Sequence, residues 1–520
     1  MVSSPHYLAS NAGLRVLMDG GNAVDAAIAT NAALNVVYPH MCGVGGDAFF
    51  LIYDAKSRKL VGLNASGRAP ARADIGFYAS RGLKSIPVRG MLPVTVPGAV
   101  DGWCAASQKY GSMKLRRLFE PAIRYARQGV PVTARLSKRI SESLQALSSC
   151  SASAKTFLRN GRPLREGEIL VQEDLGRTLT RIAEKGRDVF YNGELARTIV
   201  RFSETHGGLL SGEDLADHSS NWVEPISTTY RGYRVFEFPP NTQGLTVLLE
   251  LNLVEGYDLT SLGCQSVECL HLLVEAKKLA FADRDRYVSD PDFVGVPVES
   301  LISKSYAARR RRKISESQAT KHFSSGSVTG DTIYLATVDR EGNAVSLIQS
   351  IYYAFGSGLT VDGTGIVLHN RGAYFSLDPD HANRLEPRKR TMHTLIPAVI
   401  FRDNELFAVL GTSGADGQPQ TQLQVITNMI DFGMDIQEAI EAPRWLSGRR
   451  VLEDPPETLS LENRIDGRVR PELARKGHEI RVVEEFSEIM GTAQGITVDP
   501  STRVLSGWAD PRGDGLALGW

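Results

Sequence analysis

Two runs rich in β-branched and aromatic residues, 333–338 and 344–351, flank the polar turn Asp339-Arg340-Glu341-Gly342-Asn343. The pattern predicts a β-hairpin with a long loop. With all five turn residues in the loop, Val338 faces Ala344 and Thr332 stands opposite Ser350. Opposed side chains have Cβ atoms roughly 4.5–5.5 Å apart, so two hydroxyls meet at the start of a strand. A slip of one residue would turn Ser350 to the other face. Upstream, 315–330 is polar, rich in Ser, Thr and Gly, and without periodicity, which predicts an exposed, mobile segment ending abruptly at a strand.

Two readings fit these residues. One is an ordinary surface loop before a hairpin. The other is a self-cleavage site at the Asp331–Thr332 bond. A Thr freed at a strand N-terminus carries its own base, because its new α-amine has a pKa of about 7.7–8.0 and takes the hydroxyl proton. Spacing alone does not choose between them.

The run T-x-Y-x-x-x-V-D-x-x-G-N-A-V-S from Thr332, followed by F-G-S-G at 355–358, resembles the γ-glutamyltranspeptidase family of N-terminal-nucleophile hydrolases. The likeness continues in G-G-N-A-V-D-A-A (20–27), G-V-G-G-D (43–47), V-P-G-A-V-D-G-W (96–103), E-A-P-R-W (441–445) and D-P-R-G-D-G (510–515). It implies a proenzyme that cuts itself before Thr332. The products would be a large piece, 1–331, and a small piece, 332–520, from one precursor, which stay together as one intertwined domain. It also implies an α+β fold, a four-layer αββα sandwich with Thr332 opening a core strand. A homodimer of the processed pair is left open.

Composition sets the class. Hydrophobic content of 42% and charged content of 23% fit a globular chain. Lys+Arg of 59 against Asp+Glu of 59 leaves no net charge, hence no electrostatic case for nucleic acid or an anionic membrane. Five cysteines without metal-site or disulfide spacing suit a reducing compartment. Met1-Val-Ser-Ser-Pro-His shows no secretory signal and no apolar stretch reaches a membrane span, so a cytoplasmic location is expected unless a leader is missing.

Helical patterns occupy 7–19, with Leu8, Ala12, Leu14 and Leu17 on one face, and 23–36 behind an Asn22 cap. Others fall at 115–128, 134–148, 175–185, 193–206, 267–287, 302–313, 420–432 and 436–442, with buried strands at 365–368, 398–401 and 406–410. A helix-rich first half and a strand-rich centre suggest sheets sandwiched between helices. The glycines at 43–47 lack a following Lys and any G-x-G-x-x-G, which argues against a nucleotide loop. Scattered histidines with no H-E-x-x-H give no metal site, and no G-x-S-x-G elbow exists. No cofactor is expected.

The resemblance assigns roles residue by residue. Thr332 is the nucleophile and Ser350 the second hydroxyl beside it, where the family usually keeps Thr. Gly414 and Ala415 match the glycine pair whose N–H groups form the oxyanion hole. Substrate recognition departs from the transpeptidases, which hold the glutamyl α-carboxylate with Arg and paired Ser and its α-amine with Asn, Gln and Asp. Here Ser66 replaces the Arg, His393-Thr394 the serines, and Tyr352, Arg371 and Tyr374 the amine ligands. An Arg where an ammonium should sit is repulsive, and the acceptors are mostly gone. N-R-G-x-x-F-S-L-D-P, E-P-x-K-R and H-T-L-I-P resemble the cephalosporin-acylase-like or oxamate amidohydrolase-like branch. The first reading is therefore a self-processing amidohydrolase of a small anionic amide gripped by Arg371, His393 and Arg68. A γ-glutamyl hydrolase or transferase acting on glutathione is the alternative, and a catalytically silent scaffold is the third.

Overall fold

The hairpin forms where the pattern places it. Strands Asp331–Val338 and Ala344–Tyr352 pair antiparallel, with Val338 opposite Ala344 and Ile333 opposite Gln349. The computed structural model describes residues 1–321, 331–448, 455 and 457–520. The register shifts between Asp331 and Ile333, because Asp331 pairs with Tyr352 and the second strand carries an extra residue there. Thr332 thus sits at a β-bulge, a feature that re-aims side chains at a sheet's end.

This hairpin is the middle of an antiparallel seven-stranded sheet ordered Leu516–Leu518, Val2–Ser4, Asp331–Val338, Ala344–Tyr352, Asp47–Asp54, Lys59–Ala65, Asn221–Val223. A second antiparallel sheet runs Leu505–Ala509, Ala493–Val498, Glu405–Thr412, Ala398–Arg402, Tyr233–Glu237, Ile226–Tyr230. Side chains alternate across a strand. Ile333 and Leu335 join an apolar cluster with the helices Tyr7–Met18, Ala23–Val37, Ala99–Tyr110 and Leu115–Gln128. Tyr334, Ala336 and Val338 instead meet Val399, Val409 and Ile496 of the second sheet. On the far side of that sheet, Val235, Ile400 and Ala408 pack with the helices Gly244–Val254, Val267–Tyr287 and Gln418–Ile430.

Local chemistry explains the helices. Asn22 accepts from the N–H groups of Val24 and Asp25, and the Asp25 carboxylate returns to the Asn22 N–H, a complete capping box. The Ala-rich helix behind it is buried throughout. Helices Leu115–Gln128 and Val267–Tyr287 match their expected bounds, whereas 134–148 is split into Ala134–Glu142 and Leu144–Ser148 around Ser143. The first helix turns a different face inward: Ala9, Ala12, Gly13 and Val16 are buried, with Leu8, Leu14 and Leu17 only partly so. A Cβ on Gly13 would lie 2.1 Å from Thr30 Oγ1, so close helix approach selects small residues for the contact. The five cysteines are free, and among the described residues no helix is long and apolar enough to cross a membrane. Of the segment expected to be mobile, 322–330 lies outside the described residues.

The two sheets pack closely at the hairpin. A Cβ on Gly411 would lie 2.3 Å from the Tyr334 ring, whose hydroxyl is 2.8 Å from Ser346 Oγ. Gly411→Ala should therefore cost roughly 1–3 kcal/mol through overpacking. The check is the thermal midpoint, and an unchanged value would contradict this packing.

Candidate active site

Thr332 and Ser350 share the parity of Tyr334 and Ile348, so both belong to the face between the sheets. Both are buried, and the Thr332 hydroxyl donates to Ser350 Oγ at 3.3 Å. Ser350 Oγ also accepts the Tyr352 N–H at 2.8 Å. That bond helps hold Tyr352 at φ 77°, a left-handed conformation uncommon for a residue with a bulky side chain. The Tyr352 ring packs edge-on to Tyr374, with centroids 5.8 Å apart.

Over that ring lies Arg371, its guanidinium carbon 4.1 Å from the centroid. Arg371 is 1% exposed, and none of its three guanidinium nitrogens has a hydrogen-bond partner among the described residues. Burial pulls its pKa below the usual arginine value. An arginine still keeps its proton, and a buried charge without a partner is strongly unfavourable. The Tyr352 face offsets part of this through a cation–π contact of roughly 2 kcal/mol when desolvated.

Asp47, next to Ser350 on the neighbouring strand, is also buried. It accepts the Gly67 N–H at 3.0 Å and His393 Nε2–H at 3.3 Å, with His369 Nδ1 at 3.2 Å but poorly aligned for a hydrogen bond. Burial works against its charge, yet His369 and His393 hold the carboxyl well below the usual range. This revises the role expected for His393. Its Nδ1 accepts the Leu395 N–H at 3.4 Å, so both ring nitrogens are engaged. Burial and then the nearby Arg371 lower its pKa to about 3. His393 is thus neutral at physiological pH and brings no positive charge to an anion.

The oxyanion candidates stand at the end of strand Glu405–Thr412. Gly414 has φ 114°, accessible to glycine, and Ala415 follows at 47°. Among the described residues neither amide N–H donates a hydrogen bond. Their loop is braced from Thr492: Ser413 N–H donates to Thr492 O at 3.0 Å, and Thr492 N–H to Ser413 Oγ at 2.9 Å. Behind Thr492 the two arginine motifs meet. Arg444 bonds Gly491 O at 3.0 Å and Asp510 at 2.7 Å, while Arg512 holds both Glu462 oxygens at 2.7 Å.

Gln243 ties this loop to Thr394. Its Nε2 donates to Thr394 O and Ala415 O, both at 3.0 Å, and its Oε1 accepts from Arg284 at 2.8 Å. The Thr394 hydroxyl is buried without a partner among the described residues. Tyr374 donates its hydroxyl proton to Asp416 Oδ1 at 2.9 Å, where Arg284 also bonds at 2.9 Å. Arg68 does not join the site. Its side chain is about a third exposed and goes to Asp292 at 3.1 Å and Asp290 at 3.6 Å, so it cannot grip a substrate anion there. Asp47, His369, Gln243, Arg284 and Asp416 were not expected. Asp47 and Asp416 stand inside recognisable glycine-rich blocks, whereas Gln243 and Arg284 carry no local signal.

The depressed His393 pKa fixes a pH dependence. Between about 6.5, the unfolded value, and about 3, the unfolded state binds the extra proton. Stability therefore falls as pH drops through this window, by up to about 1.4 kcal/mol per pH unit from this group. His393→Gln should make the slope of thermal midpoint against pH shallower. An identical slope would contradict the assignment.

Comparisons with known proteins find relatives along the whole chain. The Gamma-glutamyltranspeptidase family model matches residues 9–520. The chain is 45% identical over its whole length to the glutathione hydrolase-like YwrD proenzyme of Bacillus subtilis (strain 168), covering 98% of that protein. It is 37% identical over its whole length to the oxamate amidohydrolase proenzyme of Klebsiella pneumoniae subsp. pneumoniae, again covering 98%. The crystal structure of cephalosporin acylase from Bacillus halodurans superposes with a TM-score of 0.94 at 42% identity, over 100% of this chain and 95% of that one. A family match across nearly every residue, on a fold shared end to end, makes the chain a member of the γ-glutamyltranspeptidase family.

Proposed function

We propose that the protein is a self-processing amidohydrolase of the N-terminal-nucleophile type, an αββα sandwich whose nucleophile is Thr332. The observation that carries this is the buried Thr332–Ser350 hydroxyl contact at a strand's first turn. In processing, Thr332 Oγ adds to the Asp331 carbonyl carbon and the C–N bond breaks, with the hydroxyl proton passing to the new amine. Water then hydrolyses the ester, leaving the Asp331 carboxylate and a free Thr332. In turnover that amine takes the Oγ proton as Oγ attacks the substrate amide, then gives it to the leaving amine. The Gly414 and Ala415 N–H groups receive the oxyanion, each worth a few kcal/mol. Water completes the cycle by hydrolysing the acyl ester.

The unpaired guanidinium of Arg371 supports a substrate that carries a carboxylate. Oxamate, in the name of the Klebsiella relative, is an amide of this kind with no amine. A γ-glutamyl substrate is the second reading, favoured by one observation: Asp416 Oδ2 is buried without a partner among the described residues and is an acceptor for an ammonium.

Two experiments decide. Wild-type protein should run as pieces of roughly 36 and 21 kDa, scaled by length, and Thr332→Ala as one inactive band. Cleavage of Thr332→Ala at this bond would refute the nucleophile. Ser350→Ala should slow both processing and turnover, since a lost hydrogen bond costs roughly 0.5–1.5 kcal/mol. For the substrate, kcat/KM on glutathione is compared with a des-amino analogue. The analogue should be the better substrate, and Arg371→Gln should weaken it by about 2–5 kcal/mol. A clear preference for glutathione would establish the γ-glutamyl reading instead.

A further inference from the structure

The polar composition from Ser315 onward predicts a loose loop, yet the backbone of its first residues is docked. His271 Nε2–H donates to Ser315 O at 2.7 Å and Lys476 Nζ to Glu316 O at 2.6 Å. The Ala319 N–H donates to Lys476 O at 2.6 Å. At Thr320 the N–H and the hydroxyl both donate to Glu275 Oε2, at 3.1 and 2.5 Å, and the carbonyl accepts Lys278 Nζ at 3.0 Å. The side chains from Ser315 to Gln318 are exposed. Apart from the Thr320 hydroxyl the segment docks through main-chain atoms, which leaves the other residue types unconstrained, and composition therefore gave no sign of it.

His271, Glu275 and His478 bring three ligand-type atoms within 4.8 Å of one another. Their bonds make them an anchor and not a metal site. His271 spends Nε2 on Ser315 and Nδ1 on His478, 2.8 Å away. Glu275 Oε1 takes the Lys278 ammonium at 2.7 Å and Oε2 takes Thr320. A dication would have to displace that ammonium from a buried carboxylate.

The anchors come from both sides of the Asp331–Thr332 bond in sequence: His271, Glu275 and Lys278 before it, Lys476 and His478 after it. We propose that 315–320 is a strap that positions the chain for self-processing, an inference that rests on the self-processing reading above. Ten residues, 321–330, separate docked Thr320 from Asp331. Without the strap the last packed residue upstream is Ile314, and sixteen residues intervene. The scissile bond is held by the sheet, where Asp331 pairs with Tyr352, so the strap acts on the chain that enters it: a shorter free run has fewer arrangements that compete with the one aligned at Asp331, by about twofold on the three-halves power of the length ratio. The cut itself is the acyl shift and ester hydrolysis already written, with Thr332 Oγ as nucleophile. After the cut, the strap holds the end region of the longer piece against Lys476 of the shorter one.

The test is a time course of precursor cleavage in Ala319→Pro/Thr320→Pro, which removes the donors to Lys476 O and Glu275, and in the same pair combined with Lys476→Ala, which also frees Glu316 O. All three positions are partly exposed. Each should cleave about twofold more slowly than wild type, or slower still. Once cut, each should show wild-type kcat and KM, and Thr320→Ser, which keeps both donors, should cleave at the wild-type rate. Cleavage at wild-type rate in both release variants overturns the strap. So does a parallel fall in processing, turnover and thermal midpoint, which would mark a merely structural role. Thr332→Ala, run alongside, separates the claims: if it is cut at this bond, the processing reading itself fails.

Discussion

Everything at the candidate site depends on the face alternation of one strand. In Asp331–Val338, Ile333, Leu335 and Thr337 are committed to helices and Tyr334, Ala336 and Val338 to the second sheet. A hydroxyl at Thr332 is thereby confined between two sheets, and the bulge beside it brings Ser350 within reach. Burial there strengthens each hydrogen bond and restricts water. Chemistry in such a place must bring its own base, and a Thr at a chain start does so with its α-amine. The packing of Gly411 on Tyr334 then sets the second sheet close enough for the Gly414 loop to follow directly from it.

Four arginines are among the largest fully buried side chains, and they divide by their partners. Arg284 has Asp416 and Asp285, Arg444 has Asp510, and Arg512 has Glu462 and Asp510. Removing one partner from such a pair costs about 3–5 kcal/mol, so these three fix the scaffold. Arg444 braces Gly491 directly and, with Arg512, holds Asp510, which accepts the Ala493 N–H; Thr492 between them holds Ser413 beneath the oxyanion candidates. Arg371 has no carboxylate partner among the described residues and rests on an aromatic face. In the proposed function Arg371 is therefore the buried charge left to meet a substrate carboxylate.

The sequence showed what is local. The hairpin register, the Asn22 capping box and the bounds of the Val267–Tyr287 helix follow from short patterns, and the family likeness singled out Thr332 and Ser350. It did not show what depends on partners far along the chain. His393 looked like a cation for an anion until Asp47 and Leu395 were seen to occupy its ring. Arg68 looked available until Asp290 and Asp292 were found beside it. Residues 315–320 looked loose because their composition carries no trace of bonds made by main-chain atoms to Glu275 and Lys476. The first helix misled for a related reason: its contact face is chosen by closeness, which favours Gly13 over Leu14.

The most direct measurement is N-terminal sequencing of the shorter piece of the mature protein. The account predicts that it begins Thr332-Ile333-Tyr334, with a free amine on the residue whose hydroxyl meets Ser350. A mature, active protein that remains one chain, or a shorter piece beginning at any other residue, would contradict it.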